Sequence, residues 1–368
     1  MSNSPETLDL DPAACPVELT RQLCNIASVS GDERRIADAV ERLLQGAPHL
    51  HVTRDGDTLI ARTELGRARR VVIAGHLDTV PINDNLPVRD VLDPATGEAV
   101  IWGRGTVDMK AGVAVQLALA LELAEPTADL TWVWYDHEEV ASDLNGLGRA
   151  LAHAPHLFAA DFAILGEPTS GTIEGGCNGT LRARVTLQGT RAHSARSWMG
   201  VNAIHRASEL LGKLARFEAE IITVDGLDYR EGLNAVRVSG GVAGNVIPDR
   251  CDIEVNYRFA PSRSSDEAVA FVRAFFADAD EVEIVDLAPG ARPGLDAPLA
   301  QSLVRAVGAQ PTAKVGWTDV SRFSALGIPA VNFGPGDPLL AHADDERVST
   351  SQIEHTFQAL RTWLAGEL

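Results

Sequence analysis

The chain has 368 residues, of which 45% are hydrophobic, and its formal net charge at pH 7 is -19. This length is enough for one large domain or two ordinary domains with real cores. So acidic a surface repels phosphate backbones, which argues against nucleic-acid binding, and a site for an anionic small molecule has to supply its own positive charge.

The sequence also argues against export and membrane insertion. The opening stretch, MSNSPETLDLDPAACP, has neither a basic region nor an apolar core of the kind that signal peptides carry. The most apolar segment, 111–125, is interrupted by Gln116 and Glu122 and is too short to span a bilayer. Four scattered cysteines without a CxxC pair are typical of reduced thiols. We therefore expect a soluble, cytoplasmic protein.

Strands and helices alternate through the first part of the chain. The patterns predict helices over 16–27 and 32–46, a strand over RRVVIAGH, a helix over 107–124, a strand over LTWVWYD, a helix over 145–153 and a strand over DFAILGEP. Unbroken apolar strands separated by helices are typical of an α/β fold, with a mostly parallel sheet and helices on both faces. Similar signals resume after 288 and end in a helix over 350–365.

The pattern changes between 177 and 287. LRARVTLQG and CDIEVNYRF alternate apolar and polar residues, which indicates a sheet with one face in solvent. The further elements are helices over 201–217 and 265–278 and strands over 234–242 and 281–286. This β-α-β-β-α-β order predicts an inserted two-layer domain over 177–287. Residues 1–176 and 288–368 are then the catalytic domain.

Polar residues cluster where the predicted strands of the first domain end. They are His76 and Asp78 in GHLDTVP, Asp108 in GRGTVDMKAG, Glu138 and Glu139 in WYDHEEV, Glu167 in ILGEPT, and His342 in AHADDE. The carboxyl ends of neighbouring parallel strands meet at one crevice, so we expect these side chains to share it.

So many carboxylates in one crevice repel each other unless cations neutralise them. Mixed imidazole and carboxylate ligands suit zinc better than magnesium. Two metal ions that share a carboxylate fit the number of ligands better than one ion with an open position. Strand alternation places His76 and Asp78 on the same side, but it leaves open whether Asp78 is a ligand or orients His76.

The ordered set GHLDTVP, GRGTVDMKAG, DHEEV, GEPT, GTRAHSA, GNVIPD and AHADDE resembles the co-catalytic zinc aminoacylase/carboxypeptidase metallopeptidase family over nearly the whole chain. The stretch KVGWTDVSRFSALGIPAVNFGPGDP is similar to the branch that removes succinyl groups, in the form found in high-GC Gram-positive bacteria. The resemblance implies a zinc-peptidase-like catalytic domain, a lid and dimerisation domain, two Zn²⁺ ions (with Co²⁺ as an alternative ion) and hydrolysis of a linear amide.

The resemblance also implies a role for each residue. His76 and Glu167 hold one ion, Glu139 and His342 hold the other, and Asp108 bridges them. Asp78 hydrogen-bonds His76 from behind and fixes its tautomer. Glu138 faces away from the ligands of that centre and is the general base. A cis peptide bond joins Asp108 and Met109.

The substrate residues implied by the resemblance lie mostly in the inserted domain. His193 crosses to the partner subunit of a homodimer and stabilises an oxyanion, which Asn245 supports. Arg258 clamps a carboxylate of an anionic N-acyl amino acid, while Thr318 and Gly316 line the pocket. One departure concerns GGCNGT, where related enzymes carry two arginines. Cys177 and Asn178 supply no positive charge there, so Arg182 or Arg184 is a candidate substitute.

Two alternatives remain open at this point. The first keeps the chemistry but changes the substrate, as in a deacetylase of acetylated amino acids or a dipeptidase. The second is a metal-binding protein without catalysis. Glu138 disfavours the second alternative, because a structural metal site needs no additional base.

Overall fold

The computed structural model describes residues 9–366, so the first half of the segment considered for a signal peptide lies outside the described residues. The helices are α1 (Pro16–Cys24), α2 (Arg34–Gln45), α3 (Lys110–Glu122), α4 (Gly146–His153), α5 (Ala203–Ala215), α6 (Ser265–Phe275), α7 (Pro298–Val307), α8 (Val320–Ala325) and α9 (Thr350–Ala365). Short 3-10 turns cover Pro155–Phe158, Ser194–Met199 and Pro338–Leu340. Within residues 9–366, none of the helices has the length and apolarity needed to cross a membrane.

The strands follow the same chain-order numbering. They are β1 (His51–Asp55), β2 (Thr58–Arg62), β3 (Arg70–His76), β4 (Arg89–Leu92), β5 (Ala99–Trp102), β6 (Asp129–Tyr135), β7 (Phe162–Leu165), β8 (Glu174–Gly175), β9 (Gly179–Gln188), β10 (Ala192–His193), β11 (Ile221–Val224), β12 (Leu227–Arg230), β13 (Gly232–Gly240), β14 (Val246–Ile247), β15 (Arg250–Phe259), β16 (Glu281–Ala288), β17 (Thr312–Ala313), β18 (Ala330–Asn332) and β19 (Arg347–Ser349).

The chain divides into two compact units. The first contains the residues up to Gly175, Gly294–Thr312 and the residues from Arg322 onward, and the second contains Gly176–Pro293 and Ala313–Ser321. The ranges predicted from sequence differ from these units at Gly176, 288–293 and 313–321, which group with the second unit. Local hydrogen bonds explain the grouping of 313–321, because the N–H of Asn178 donates to the carbonyl of Lys314 and the indole of Trp317 donates to the carbonyl of Pro289.

An eight-stranded sheet forms the centre of the first unit, in the order β1-β2-β6-β3-β7-β18-β8-β17. The strands β6, β3, β7 and β18 are mutually parallel, whereas β1, β2 and β8 pair antiparallel with their neighbours. The predicted α/β fold with a mostly parallel sheet is confirmed, and the antiparallel flanking strands make the sheet mixed. Because β6, β3, β7 and β18 run in one direction, their carboxyl ends lie at one edge of the sheet.

Helix α3 is buried on all sides between Lys110 and Leu117, which explains why its sequence is apolar without a polar stripe. It packs against β3, α1 and α9. The helix begins at Lys110, three residues later than predicted. The residues before it, 103–108, form a loop whose N–H groups donate to the side chain and carbonyl of Glu346.

The second unit contains a four-stranded antiparallel sheet in the order β13-β15-β9-β16. Helices α5 and α6 bury their apolar residues against it, including Ala207, Leu210 and Val272. The predicted β-α-β-β-α-β order is therefore present as β9-α5-β13-β15-α6-β16. A further hairpin, β11–β12, was not predicted from the sequence.

Candidate metal centre

The predicted ligands of the first unit lie at the sheet edge where the parallel strands end. His76 is the last residue of β3, Glu138 and Glu139 follow β6, Glu167 follows β7, and His342 lies in the segment after β18. Asp108 comes two residues before α3. The apolar residues of β3 and β6 are fully buried in the core, which fixes the points at which the polar side chains begin.

The carboxylate of Asp108 lies between the two histidines. Its Oδ1 is 3.0 Å from Nε2 of His76, and its Oδ2 is 3.3 Å from Nε2 of His342. Glu139 also contacts His342, because its Oε1 is 3.0 Å from the same Nε2. One carboxylate thus offers one oxygen to each of two neighbouring imidazoles, which is the arrangement that a bridging ligand requires.

The donor atoms fall into three overlapping groups, in each of which the atoms lie within 4.8 Å of one another. They are His76–Asp108–Glu167, Asp108–Glu139–His342 and His76–Glu138–Glu139. The first two groups share Asp108, and their imidazole nitrogens and carboxylate oxygens are ordinary zinc ligands. The residues present therefore fit two metal ions with a shared carboxylate.

The sequence-based expectation is that Glu138 faces away from the ligands, but in the structure it lies beside them. One of its carboxylate oxygens belongs to the same 4.8 Å group as His76 and Glu139. This places a fourth carboxylate beside the three of the ligand set, where it can exchange a proton with a molecule held there.

The position of Asp78 corrects one detail of the sequence-based expectation. The Nδ1 of His76 is 2.9 Å from the backbone carbonyl of Asp78 and 3.6 Å from its Oδ1. A carbonyl only accepts, so Nδ1 carries the proton and the Nε2 atom is directed to Asp108. The carbonyl, and not the carboxylate, therefore fixes the tautomer of His76.

The buried carboxylate of Asp78 instead holds the loop that carries the two glutamates. Its Oδ1 accepts the N–H of Glu138 at 3.0 Å, and its Oδ2 accepts the N–H of Glu139 at 3.0 Å. The hydroxyl of Ser30 donates to the same Oδ2 at 2.6 Å. Asp78 therefore acts on the backbone of the general-base candidate and its neighbour.

Charges around the cluster shift the titration of the histidines. Hydrogen bonds with Asp108 and Glu139 raise the pKa of His342 to about 10. Burial alone lowers the pKa of His76, but the hydrogen bond and charge of Asp108 outweigh it, so that the pKa lies well above its usual value. Without a metal ion, protons on the two imidazoles therefore neutralise part of the carboxylate charge.

Comparison with known proteins agrees with this geometry. The family model described as peptidase family M20/M25/M40 matches residues 72–365. The chain belongs to this family. The family resemblance expected from the sequence is thereby confirmed, and peptidases of this family depend on metal ions.

Two relatives of the M20/M25/M40 chain cover nearly its whole length. A putative succinyl-diaminopimelate desuccinylase of Mycobacterium tuberculosis is 54% identical over 97% of this chain and 100% of its own length. A succinyl-diaminopimelate desuccinylase of Corynebacterium glutamicum is 47% identical over 97% of this chain and 98% of its own. Among solved structures, a dinuclear metal binding peptidase of the M20 family from Bacillus subtilis has a TM-score of 0.66 and 16% identity, with coverage of 95% of this chain and 96% of that one. The last likeness supports the fold.

Within the second unit of this M20/M25/M40 protein, His193 is exposed at the end of β10. Its Nδ1 accepts the N–H of Ala195 at 3.1 Å, so the neutral ring carries its proton on Nε2. Asn245 is also exposed, and its backbone carbonyl accepts the N–H of Ser194. The segment that carries Asn245 thus holds the residue next to His193.

Arg258 is a half-buried cation on β15. Its Nε donates to the side chain of Asn256 at 3.1 Å, and burial lowers its pKa. Across the described part of the chain, no carboxylate oxygen lies within 4.0 Å of the Arg258 guanidinium, which is the limit for an ion pair. By contrast, Arg182 pairs with Asp286 at 3.3 Å and Arg184 with Glu283 at 2.7 Å. Neighbouring acids thus already neutralise the two arginines considered as substitutes.

Two pocket candidates lie in the segment 313–321. Thr318 is buried, and its carbonyl is 3.6 Å from the thiol of Cys177. Gly316 is exposed, and a Cβ atom added to it would meet nothing within 4 Å. Burial raises the pKa of Cys177 to about 11, so this thiol is protonated and unreactive at neutral pH.

Sequence reasoning missed the residues that support the cluster from behind. The buried carboxylate of Glu33 accepts the N–H groups of Gly31 at 2.9 Å and of His137 at 3.2 Å. His137 has a positive φ of 59° directly before Glu138, so this bond holds a constrained turn. The only sequence signal was the position of Ser30 and Glu33 at the start of a helix, which indicates capping and not a site.

Proposed function

We propose that this chain hydrolyses N-succinyl-LL-2,6-diaminopimelate to succinate and LL-2,6-diaminopimelate, as an amide hydrolase with two zinc ions. The bridging position of Asp108 between His76 and His342 is the observation that carries the proposed chemistry. The names of the two relatives at 54% and 47% identity support the proposed substrate, and both relatives match nearly full length. A step in diaminopimelate and lysine synthesis also supports a cytoplasmic location.

Five side chains would hold the zinc ions. His76 and Glu167 are assigned to one, Glu139 and His342 to the other, and Asp108 to both. When bound, the ions would polarise the amide carbonyl and lower the pKa of water toward neutral pH. The chain's own contribution is to fix the tautomer of His76 through the carbonyl of Asp78.

Glu138 is the proposed general base and acid. It takes a proton from the attacking water and delivers it to the nitrogen of the leaving amine, so that the carboxylate is regenerated after each turnover. Asp78 supports this role because its carboxylate accepts the N–H groups of both Glu138 and Glu139. Each backbone bond limits the rotation of the loop that carries the base.

His193 is the proposed donor to the oxyanion, acting from the partner subunit with Asn245. The Nε2 proton that the contact with Ala195 leaves on the neutral ring supports this role. Arg258 is the proposed clamp for a substrate carboxylate, because it is a half-buried cation and, among residues 9–366, no carboxylate forms an ion pair with it within 4.0 Å. Thr318 and Gly316 are proposed to line the pocket for the amino-acid end.

A homodimer through the second unit is part of the proposal. Among residues 9–366, strand β13 lies at the end of its sheet, and one of its edges pairs with no other strand. Its Val236 and Val238 are 60% and 48% exposed, and Ile204 on helix α5 is 41% exposed. An unpaired edge beside exposed apolar side chains favours burial against a second copy of the chain.

A substrate panel on protein of known zinc content tests the proposed function. At equal concentrations, we expect kcat/KM to be highest for N-succinyl-LL-2,6-diaminopimelate, above N-acetylornithine and an unmodified dipeptide. A preference for the acetyl substrate or for the dipeptide would assign the chain to the first alternative. Absence of turnover with every substrate, in protein loaded with zinc, would assign it to the non-catalytic alternative.

A further inference from the structure

Glu346 differs from the acidic residues beside it. The sequence AHADDE predicts a solvated acidic run, and Asp344 and Asp345 are indeed exposed. Glu346 has a relative exposure of 0% and lies in the first unit, four residues after the ligand His342. A buried carboxylate is costly unless donors surround it, so its contacts indicate what it does.

The carboxylate of Glu346 accepts four hydrogen bonds, and all of them come from one short loop. Its Oε1 accepts the N–H of Val107 at 2.8 Å and of Asp108 at 3.1 Å. Its Oε2 accepts the N–H of Gly105 at 3.0 Å and Nη1 of Arg104 at 2.8 Å. Both oxygens are therefore saturated, and Glu346 has no lone pair directed at a metal ion or a substrate.

The same loop is tied to the His342 segment by two further bonds. The N–H of Gly103 donates to the carbonyl of Glu346 at 2.8 Å. The Nη1 of Arg104 also lies 3.3 Å from the carbonyl of Ala343, next to His342. One buried Arg–Glu pair thus joins the backbone that carries Asp108 to the backbone that carries His342.

We propose that Glu346 is a positioning residue that sets the place of the bridging carboxylate of Asp108 relative to His342. The Oδ2 of Asp108 and the Nε2 of His342 are 3.3 Å apart. The side chain of Glu346 binds the backbone of the Asp108 loop, and Glu346 itself belongs to the segment that carries His342. A shift of either backbone alters the distance between the two metal positions. This inference rests on the proposed two-metal centre, and it adds a residue that contacts neither metal nor substrate.

Glu346→Gln is the direct test. The amide keeps one acceptor oxygen but directs an NH₂ group at N–H donors, so two of the four bonds are lost. We expect the affinity for the metal ion assigned to Glu139 and His342 to fall by roughly 10- to 100-fold. We also expect the visible absorption spectrum of the Co²⁺-loaded protein to change, and kcat to fall while KM stays nearly constant.

Asp345→Asn is the matched control. It alters an exposed acid of the same run, whose carboxylate pairs with Arg347 at 2.8 Å, and it should leave metal affinity, the Co²⁺ spectrum and kcat unchanged. A merely structural role for Glu346 predicts a lower melting temperature for Glu346→Gln with unchanged Co²⁺ spectrum and metal affinity. That result would overturn the proposal.

A second variant covers the case in which Glu346→Gln does not fold. Arg104→Gln removes the ionic partner but leaves the three backbone donors on Glu346, so we expect a smaller change of the same kind in the Co²⁺ spectrum. An unchanged spectrum and metal affinity there would also contradict the proposal. Because metal affinity and the Co²⁺ spectrum need no substrate, failure of the proposed substrate in the panel is distinguishable from failure of this inference.

Discussion

The Oε1 of Glu139 lies 3.0 Å from Nε2 of His342, although the two residues are 203 positions apart in the chain. Together with Asp108, this contact raises the pKa of His342 to about 10. At neutral pH the imidazole is therefore protonated in the metal-free protein. A metal ion can bind at that nitrogen only after the proton leaves.

Metal binding should therefore release protons. We expect roughly two protons to be released when the metal-free protein takes up zinc at pH 7.5, one from each of His76 and His342, because both pKa values are raised. Calorimetry in buffers of different ionisation enthalpy measures this number. The variant His342→Ala should release fewer protons, and zinc uptake by the unaltered protein without proton release would contradict the account.

The same shift sets the sign of a pH effect on stability. The pKa of His342 is higher in the folded chain than its ordinary value of 6.5, so its stabilising contribution is fully present below about pH 6.5 and is lost as the pH rises through about 10. The free energy of unfolding of the metal-free protein should fall across this window. Denaturant titrations at several pH values check it, and a flatter profile for His342→Ala is the expected control.

Glu138→Gln should separate metal binding from turnover. The amide cannot accept the proton of water, so we expect kcat to fall by about 10²- to 10⁴-fold. Both metal ions should remain, since Glu138 is not among the five proposed ligands. Elemental analysis and steady-state kinetics on the same sample measure both quantities, and Glu125→Gln at an exposed position is the control. Unchanged kcat would remove Glu138 as the base.

His193 can be assigned to its own or the partner subunit by mixing two inactive variants. If His193 acts across the dimer, a mixed dimer of His193→Ala and Glu138→Gln contains one complete site. Random exchange of equimolar subunits should then restore about one quarter of the unaltered activity. Recovery should be absent if His193 serves the site of its own subunit. Each variant measured alone after the same treatment is the control.

Close packing behind the ligands should make Gly112 intolerant of a side chain. A Cβ atom at Gly112 in α3 would lie 2.1 Å from the carbonyl oxygen of Gly166, which directly precedes Glu167. We expect Gly112→Ala to displace this strand end, lower the melting temperature and weaken metal binding.

Gly212→Ala provides the matched helix substitution. In α5 the nearest atom to such a Cβ is the flexible end of Arg216 at 3.4 Å, so stability should be unchanged or should rise by up to about 1 kcal/mol. Thermal unfolding and chelator competition compare the two variants. If Gly112→Ala and Gly212→Ala had the same melting temperature and metal affinity, α3 and the strand end before Glu167 would be able to move apart without loss of stability, and the prediction would be wrong.

Much of the candidate site was predictable because its ligands stand at the ends of recognisable strands. His76, Glu139 and Glu167 each follow a buried apolar run, and the rule for parallel sheets places such ends together. Asp78 shows the limit of a different rule, the alternation of side chains along a strand. Strand β3 ends at His76, so side-chain alternation no longer holds two residues later, and the carboxylate turns to the backbone of Glu138 and Glu139.

Other features depended on contacts that no periodic pattern contains. The N–H groups that surround the carboxylate of Glu346 belong to an irregular loop about 240 residues away in the chain. No local pattern reveals such donors, and the neighbouring acids therefore indicated a solvated residue. The β11–β12 hairpin, in contrast, had a signal. Its two-residue turn is Asp225–Gly226, both with positive φ, and this dipeptide favours such a turn.

Side chains from distant segments are proposed to hold two metal ions on either side of Asp108. Anomalous diffraction at the zinc edge from zinc-loaded crystals tests this proposal most directly. We expect two peaks, one within about 2.3 Å of His76 and Glu167 and one within the same distance of Glu139 and His342, with an Asp108 oxygen beside each. A single peak, or none at these side chains, would contradict it.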